Sequence, residues 1–215
     1  MALFYFIRHG ETEWNAEGRL CGRTDVPLSE VGRRQAQLLA ARLEAVPVEA
    51  LYSSPLGRAL ETARQIGLAI GHESVVDRRL VELNYGAWEG RTFDEIKRST
   101  PAAYRDWDAD PARLAPPEGE TGLQLVERLT PFLAELALRH QQGKVVVVCH
   151  KTVCRLLACH IMGISPAEYR KRIPMDNAAL NVFETREGKW QVVALNDTSH
   201  LCPPIPQPAS AQKGE

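Results

Sequence analysis

The chain has 215 residues, 44% of them hydrophobic, and its 26 basic residues nearly balance its 27 acidic ones. This length and composition permit one or two well-buried domains, and the charge balance excludes a global field that would recruit nucleic acid or an anionic membrane. Five cysteines without a Cys-x-x-Cys pair argue against a disulfide framework and a zinc knuckle. The opening apolar run, residues 2–7, is too short for a signal-peptide core, so we expect a cytoplasmic protein.

Predicted strands and helices alternate along the chain. Residues 3–7 and 145–149 are continuous apolar runs, the pattern of strands buried on both faces of a parallel sheet. Shorter patterns predict strands at 50–52 and 74–76, helices at 29–46, 56–70, 121–140 and 154–162, and a hairpin at 179–195. Pro131 lies inside the third of these helices, where we expect a kink or a break.

This alternation predicts an α/β fold, a three-layer sandwich with a mainly parallel central sheet and helices on both faces. The stretch 84–120, rich in Trp, Tyr, Asp and Pro, is the longest irregular segment and predicts a lid over the carboxyl ends of the strands. We expect one domain over residues 1–201. A Pro-rich tail at 202–215 can neither continue a helix nor pair in a sheet.

Polar residues directly follow three of the predicted strands. Arg8 and His9 follow the first strand, Ser53 and Ser54 the second, and His150 the valine strand. In open α/β sheets, ligands bind outside the carboxyl ends of the strands. We therefore expect these segments to converge on one site at that edge.

An ordered series of motifs begins at the turn Arg8-His9-Gly10. Its further members are Thr12, Asn15, Gly22, Asp25, Pro27-Leu28-Ser29, Gly32, Ser53 to Ala59, Glu61-Thr62-Ala63, Glu82, Tyr85 to Gly90, His150 and Arg155. This series resembles the histidine phosphatase superfamily, whose members include cofactor-dependent phosphoglycerate mutases and many phosphatases of small phosphoesters. The likeness spans roughly residues 3–201.

The resemblance implies a role for each matching residue. The nucleophile falls on His9, the proton donor on Glu82, and the phosphate pocket on Arg8, Asn15, Arg58 and His150. The chemistry agrees, because a neutral imidazole can attack phosphorus when fixed donors hold the charge of the equatorial oxygens. An alkoxide leaving group needs a proton, which Glu82 supplies if burial and the phosphate charge favour its protonated form. No metal or other cofactor is needed.

Two positions depart from the family pattern. Lys151 follows His150 where most relatives have a small residue, and it suits a substrate with a carboxylate or a second phosphate; a solvated helix lysine is the open alternative. Cys21 stands where many relatives carry Gln or Thr, so the usual polar contact there is weakened. The candidate substrate-binding residues are Cys21, Gly22, Tyr85, Lys151 and His200, the last reaching over the site from the chain's end.

The sequence therefore predicts a hydrolase of a small phosphorylated metabolite, acting through a phosphohistidine intermediate. Lys151 and a short lid favour phosphoserine as the substrate; phosphoglycerates, sugar phosphates and α-ribazole phosphate stay open. Only 67 residues separate Glu82 from His150, which disfavours a mutase because mutases carry a longer insertion there. A non-catalytic sensor is the distant alternative, and a homodimer is left open.

A thiol nucleophile is a further alternative, since Cys149 precedes His150. Adjacent strand residues point to opposite faces, so the two side chains should not meet. The cysteine-hydrolase interpretation is therefore disfavoured.

Overall fold

A mixed six-stranded sheet forms the middle of the computed structural model, which describes residues 1–186 and 188–202. The strands are β1 (Ala2–Arg8), β2 (Ala50–Ser53), β3 (Ser74–Val76), β4 (Gly143–Cys149), β5 (Leu180–Arg186) and β6 (Lys189–Asp197). Their order is β3-β2-β4-β1-β5-β6; the first four are parallel, and β5 and β6 are antiparallel to their neighbours. The predicted α/β class with a mainly parallel sheet is confirmed.

Eight α-helices accompany the sheet within these residues. They are α1 (Glu13–Ala16), α2 (Glu30–Leu43), α3 (Gly57–Ile70), α4 (Phe93–Ser99), α5 (Pro101–Ala109), α6 (Gly122–Arg139), α7 (Lys151–Met162) and α8 (Tyr169–Arg172). The four predicted helices correspond to α2, α3, α6 and α7. The hairpin is also confirmed, because β5 and β6 pair on either side of Gly188, whose φ of 76° suits the turn.

The valine run of β4 shows why helices cover both faces of the sheet. Val145 and Val147 belong to the apolar cluster that includes α6 and α7, whereas Val146 and Val148 belong to the cluster that includes α2 and α3. Alternate strand residues point to opposite faces, so both sets are buried only when helices lie on both sides. This is the predicted three-layer sandwich.

Helix α6 runs through Pro131 without a break. Of the two expected outcomes, a kink or a break, the break is therefore wrong. A proline inside a helix leaves the carbonyl four residues earlier without its N–H partner. Here Pro131 and Glu127 are both exposed. Water can therefore bind the freed carbonyl, and the helix tolerates the residue.

The segment 84–120 is not irregular, contrary to expectation, because it contains α4 and α5. A capping box between Thr92 and Glu95 starts α4, and Pro101 occupies the first turn of α5. Trp88 and Trp107 are buried in this segment with ring centroids 5.3 Å apart. Aromatic packing therefore holds two short helices whose periodicity is weak.

The end of the predicted tail cannot be compared with the structure. Cys202 is exposed, and residues 203–215 lie outside the described residues. In the described ranges 1–186 and 188–202, no helix has both the length and the apolarity needed to cross a bilayer.

Candidate active site

His9 lies at the carboxyl end of β1, between β4 and β5. Its backbone N–H donates to the Cys149 carbonyl at 3.1 Å, and its carbonyl accepts from the Ala178 N–H at 3.1 Å. The next residue must be glycine, because a Cβ at Gly10 would lie 2.4 Å from the Gly32 carbonyl oxygen in α2. Close contact with α2 thus fixes the turn that presents His9.

Neighbouring groups hold the His9 imidazole neutral and set its tautomer. Nδ1 lies 2.6 Å from the Gly10 carbonyl oxygen, which only accepts, so Nδ1 carries the proton. Nε2 accepts a hydrogen bond from Arg58 Nε at 3.2 Å. Burial, followed by the charges of Arg58 and Arg8, lowers the pKa of His9 well below 6.5. The ring therefore keeps an unprotonated Nε2, the form required of a nucleophile.

Arg58 is fully buried and links His9 to the loop at residues 22–24. Besides its bond to His9, it donates to the Thr24 carbonyl at 3.0 Å and to the Gly22 carbonyl at 2.5 Å. Each terminal nitrogen keeps one further N–H. The guanidinium is thus partly committed to this loop, which the sequence did not indicate.

Arg8 and Asn15 lie together beside His9. Arg8 donates to the Met175 carbonyl at 2.8 Å and to Asn15 Oδ1 at 3.4 Å. Its Nε is buried without a partner among the residues the structure describes. Burial lowers the pKa of Arg8 to about 10, so the guanidinium stays charged near neutral pH. An anion beside Arg8 would satisfy the free donor.

His150 follows β4 and packs against His9, with ring centroids 5.1 Å apart. Its Nε2 lies 2.7 Å from Ser54 Oγ, and its buried Nδ1 has no partner in the described part of the chain. Burial and the charge of Arg58 lower the pKa of His150 well below 6.5. Without a bound anion His150 is therefore neutral, and a dianion would favour its protonation.

Glu82 is 3% exposed and is held by two backbone donors. Its Oε1 accepts from the Leu83 N–H at 2.7 Å, and its Oε2 accepts from the Thr152 N–H at 3.1 Å. Thr152 lies in the first turn of α7, the helix that begins directly after His150. The carboxyl group is therefore fixed to the helix that follows the second histidine.

A cavity of about 740 Å³ opens over these residues. Its lining includes Arg8, His9, Asn15, Glu82 and the candidate substrate-binding residues Cys21, Tyr85 and Lys151. Arg58 and His150 are fully buried and are not part of the lining; each contacts His9, which is part of it. The structure thus brings together the residues that the sequence placed at one edge of the sheet.

Two predicted substrate-binding residues are not part of the cavity lining. Gly22 contributes its carbonyl to Arg58, and a Cβ there would lie 2.0 Å from Glu89 Oε1, so a side chain has no room. His200 lies near Asp197 and the Ala178 backbone instead of reaching over the site. It lies in a short 3₁₀ helix, Ser199–Leu201, which follows β6 and packs against α2.

The profile of the Histidine phosphatase superfamily (branch 1) matches residues 4–198. The chain belongs to the histidine phosphatase superfamily. It is 34% identical over 201 residues to Phosphoserine phosphatase 1 of Hydrogenobacter thermophilus, with 94% of this chain and 95% of that protein aligned. It is 36% identical over 199 residues to Phosphoglycerate mutase-like protein 4 of Arabidopsis thaliana, with 91% and 85% aligned.

A solved structure agrees with this assignment. The α-ribazole phosphatase of Shigella flexneri matches with a TM-score of 0.82 and 26% identity, over 91% of this chain and 96% of that one. The fold is therefore phosphoglycerate mutase-like, and this histidine phosphatase transfers phosphoryl groups from a small phosphorylated molecule.

Glu89 organises this histidine phosphatase site in a way that the sequence did not reveal. Its carboxylate accepts backbone N–H groups of Arg23 at 2.8 Å, Thr24 at 2.7 Å and Tyr85 at 3.2 Å. It thereby joins the loop that binds Arg58 to the start of the segment 84–120. The motif at residues 85–90 was the available signal, but a motif does not say which distant backbone a carboxylate binds.

The cavity wall also carries basic residues that sequence reasoning passed over. Arg170 pairs with Asp108 and lies over the Trp107 ring, 4.2 Å from its centroid. It belongs to the basic run at residues 170–172, a pattern that is typical of solvent-exposed positions. Only the tertiary contacts with α5 show that Arg170 lines the cavity.

Cys149 is not one of the residues that line the cavity. Its Sγ is 3.4 Å from Cys154 Sγ, and burial raises the pKa of its thiol well above 9. A protonated, buried thiol is a poor nucleophile. Within residues 1–186 and 188–202, no group of three or more His, Cys, Asp or Glu side chains is arranged to hold a metal ion.

Proposed function

We propose that this histidine phosphatase hydrolyses a small phosphomonoester through a phosphohistidine intermediate on His9. One observation carries the proposal: an imidazole whose Nε2 is unprotonated lines a cavity together with a guanidinium and a buried carboxyl group, Arg8 and Glu82. These are a nucleophile, an anion-binding group and an acid, the set that phosphoryl transfer to a side chain requires.

In the first step the hydrogen bond from Arg58 Nε to His9 Nε2 breaks, Nε2 forms a bond to phosphorus, and the P–O bond of the ester breaks. Arg8, the remaining N–H groups of Arg58 and the free Nδ1 of His150 stabilise the charge on the equatorial oxygens. Glu82 gives its proton to the leaving alkoxide. In the second step water attacks the phosphohistidine, Glu82 takes the proton of the water, and inorganic phosphate leaves.

Phosphoryl transfer to a second hydroxyl is the other candidate, since several similar proteins are named as probable phosphoglycerate mutases or as mutase-like. The 67-residue separation of Glu82 and His150 supports hydrolysis, because it leaves little chain to exclude water. The two functions differ in their product. Hydrolysis releases one inorganic phosphate per substrate consumed, whereas a mutase yields an isomeric phosphoester.

Phosphoserine is the substrate that we propose. Its carboxylate suits Lys151, which lines the cavity close enough to Arg8 for their charges to interact. Burial, followed by the charges of Arg8 and Arg155, lowers the pKa of Lys151 to about 8, so the ammonium is mostly charged near pH 7. The 34% identity to a phosphoserine phosphatase supports the same choice.

The intermediate can be tested by rapid quenching with ³²P-labelled phosphoserine. We expect label on His9 in a bond that is acid-labile and alkali-stable, because an N–P bond behaves so. The variant His9→Ala should give no label and no phosphate release in EDTA. Label on a serine or cysteine would contradict the proposed phosphohistidine intermediate.

The substrate can be tested with Lys151→Ala and two esters, phosphoserine and its decarboxylated analogue phosphoethanolamine. A charge-assisted hydrogen bond is worth about 1.5–3 kcal/mol, so kcat/KM for phosphoserine should fall roughly ten- to a hundredfold. Phosphoethanolamine should change little. Equal losses would assign Lys151 to the phosphoryl group or the fold, and no loss would make it a solvated lysine.

A further inference from the structure

Two cationic residues on one face of α7 line the cavity. Lys151 is the first residue of α7, and Arg155 follows one helical turn later. Residues four apart on a helix are neighbours, with Cβ atoms about 5–6 Å apart. The two side chains thus form a compact cationic patch on the cavity wall.

Neither of these cations has a carboxylate partner in the described part of the chain. The Nε of Arg155 is buried and has no hydrogen-bond partner among residues 1–186 and 188–202. Two other arginines of the same cavity are compensated: Arg19 pairs with Glu17 and Glu95, and Arg170 pairs with Asp108. Arg8 and the exposed Lys171 also line the cavity without a salt bridge among the described residues, so apart from the phosphate-pocket arginine the α7 pair is the buried uncompensated charge of the wall.

This arrangement is electrostatically unfavourable when the cavity is empty. A lysine in the first turn opposes the helix dipole, and two like charges four residues apart repel each other. Burial, followed by the charges of Arg8 and Arg155, depresses the pKa of Lys151, and burial also depresses that of Arg155; the Glu82 charge acts in the opposite direction on both. A local arrangement that costs stability without a structural gain is expected where a ligand binds.

We propose that Arg155, together with Lys151, binds a second anionic group of the substrate, a carboxylate remote from the phosphoryl group. This deepens the proposed function, on which it rests. In the proposed mechanism Arg8 and Arg58 bind the phosphoryl group. The pair on α7 is therefore available to bind a second anionic group. A guanidinium fork matches the two oxygens of a carboxylate, and this makes Arg155 a specificity-determining residue.

The experiment measures the binding of two non-hydrolysable phosphonates by calorimetry, so that it does not depend on turnover. They are 4-phosphonobutyrate and butylphosphonate, which have similar length and differ by the carboxylate; the first keeps the three-atom spacing between phosphorus and the carboxyl carbon of phosphoserine. The wild-type protein should bind the carboxylate-bearing probe about ten- to a hundredfold more tightly. Arg155→Gln should reduce this ratio to within about threefold, and Arg155→Lys should restore part of it.

The matched control is Lys171→Met, which removes an exposed cation of the same cavity and should leave the ratio unchanged. Equal affinities for the two probes in the wild-type protein would overturn the subsite, as would an unchanged ratio in Arg155→Gln. A preference for 1,3-propanediphosphonate over the length-matched 4-phosphonobutyrate that Arg155→Gln removes would overturn the carboxylate in favour of a second phosphoryl group. Failure to trap label on His9 with a phosphoester that the protein turns over would instead overturn the phosphohistidine mechanism, whatever the two phosphonates do.

Discussion

His9 and Glu82 are held by backbone groups. The Gly10 carbonyl fixes the tautomer of His9, and the N–H groups of Leu83 and Thr152 fix the Glu82 carboxyl. Backbone partners move only when the turn itself moves. Substitution of either side chain should therefore change the chemistry and leave the surrounding geometry largely intact.

Glu82→Gln tests the acid at this scale. The amide keeps one oxygen acceptor for the two backbone N–H groups and has no acidic proton to transfer, so alkyl phosphates with poor leaving groups should slow by about 10²–10⁴-fold. Aryl phosphates should slow much less, because an aryl oxide leaves without protonation. The comparison of kcat/KM for phosphoserine and 4-nitrophenyl phosphate measures this; equal losses would make Glu82 a binding or structural residue.

The residues at strand ends were predictable from the sequence, whereas their partners were not. His9 and His150 follow apolar runs, and parallel strands bring their carboxyl ends to one edge. The bonds of Arg58 to Gly22 and of Glu89 to Thr24 join segments that lie tens of residues apart. No periodicity encodes such contacts, so they required the structure.

At the scale of elements, one ion pair ties the loop that contains Glu82 to α6. Arg128 binds both carboxylate oxygens of Glu120, at 2.8 and 3.1 Å, and donates to the carbonyls of Arg79 and Glu82. Glu120 in turn accepts the Asn84 N–H at 3.3 Å. The pair therefore holds the backbone on both sides of Glu82.

We expect Glu120→Gln to misplace Glu82 without removing it. A displacement of about 1 Å can cost about a hundredfold in rate, so kcat for phosphoserine should fall while KM changes little. Turnover of an aryl phosphate should be less affected. The control Glu135→Gln removes an exposed carboxylate that bonds Arg79 at 2.9 Å, and it should change neither rate. A uniform loss with both substrates would point to folding instead.

Elements were predictable where their apolar pattern was long. β4 is an unbroken valine run, and α6 carries its buried leucines over 18 residues. Helices α4 and α5 have only 7 and 9 residues, and each buries one large residue, Ile96 and Trp107. Their helicity depends on capping and on aromatic contacts from elsewhere, which a periodicity search does not detect.

Over the whole molecule the formal charge is −1, yet the cavity is cationic. Six basic and three acidic residues line it: Arg8, Arg19, Lys151, Arg155, Arg170 and Lys171 against Glu82, Asp108 and Asp176. A field of this kind acts over a short range, since the rest of the surface cancels it at a distance. Attraction of an anionic substrate should therefore be local and modest.

Ionic strength tests this balance. Raising KCl from about 10 mM to 150 mM shortens the Debye length from about 30 to 8 Å, so kcat/KM for phosphoserine should fall a few-fold. Lys171→Met should weaken the dependence, because it removes one of the cavity cations, and sucrose of matched osmolality should not reproduce it. A rise of kcat/KM with salt would contradict the prediction, since it would mean that the net negative surface repels the substrate more than the cavity attracts it.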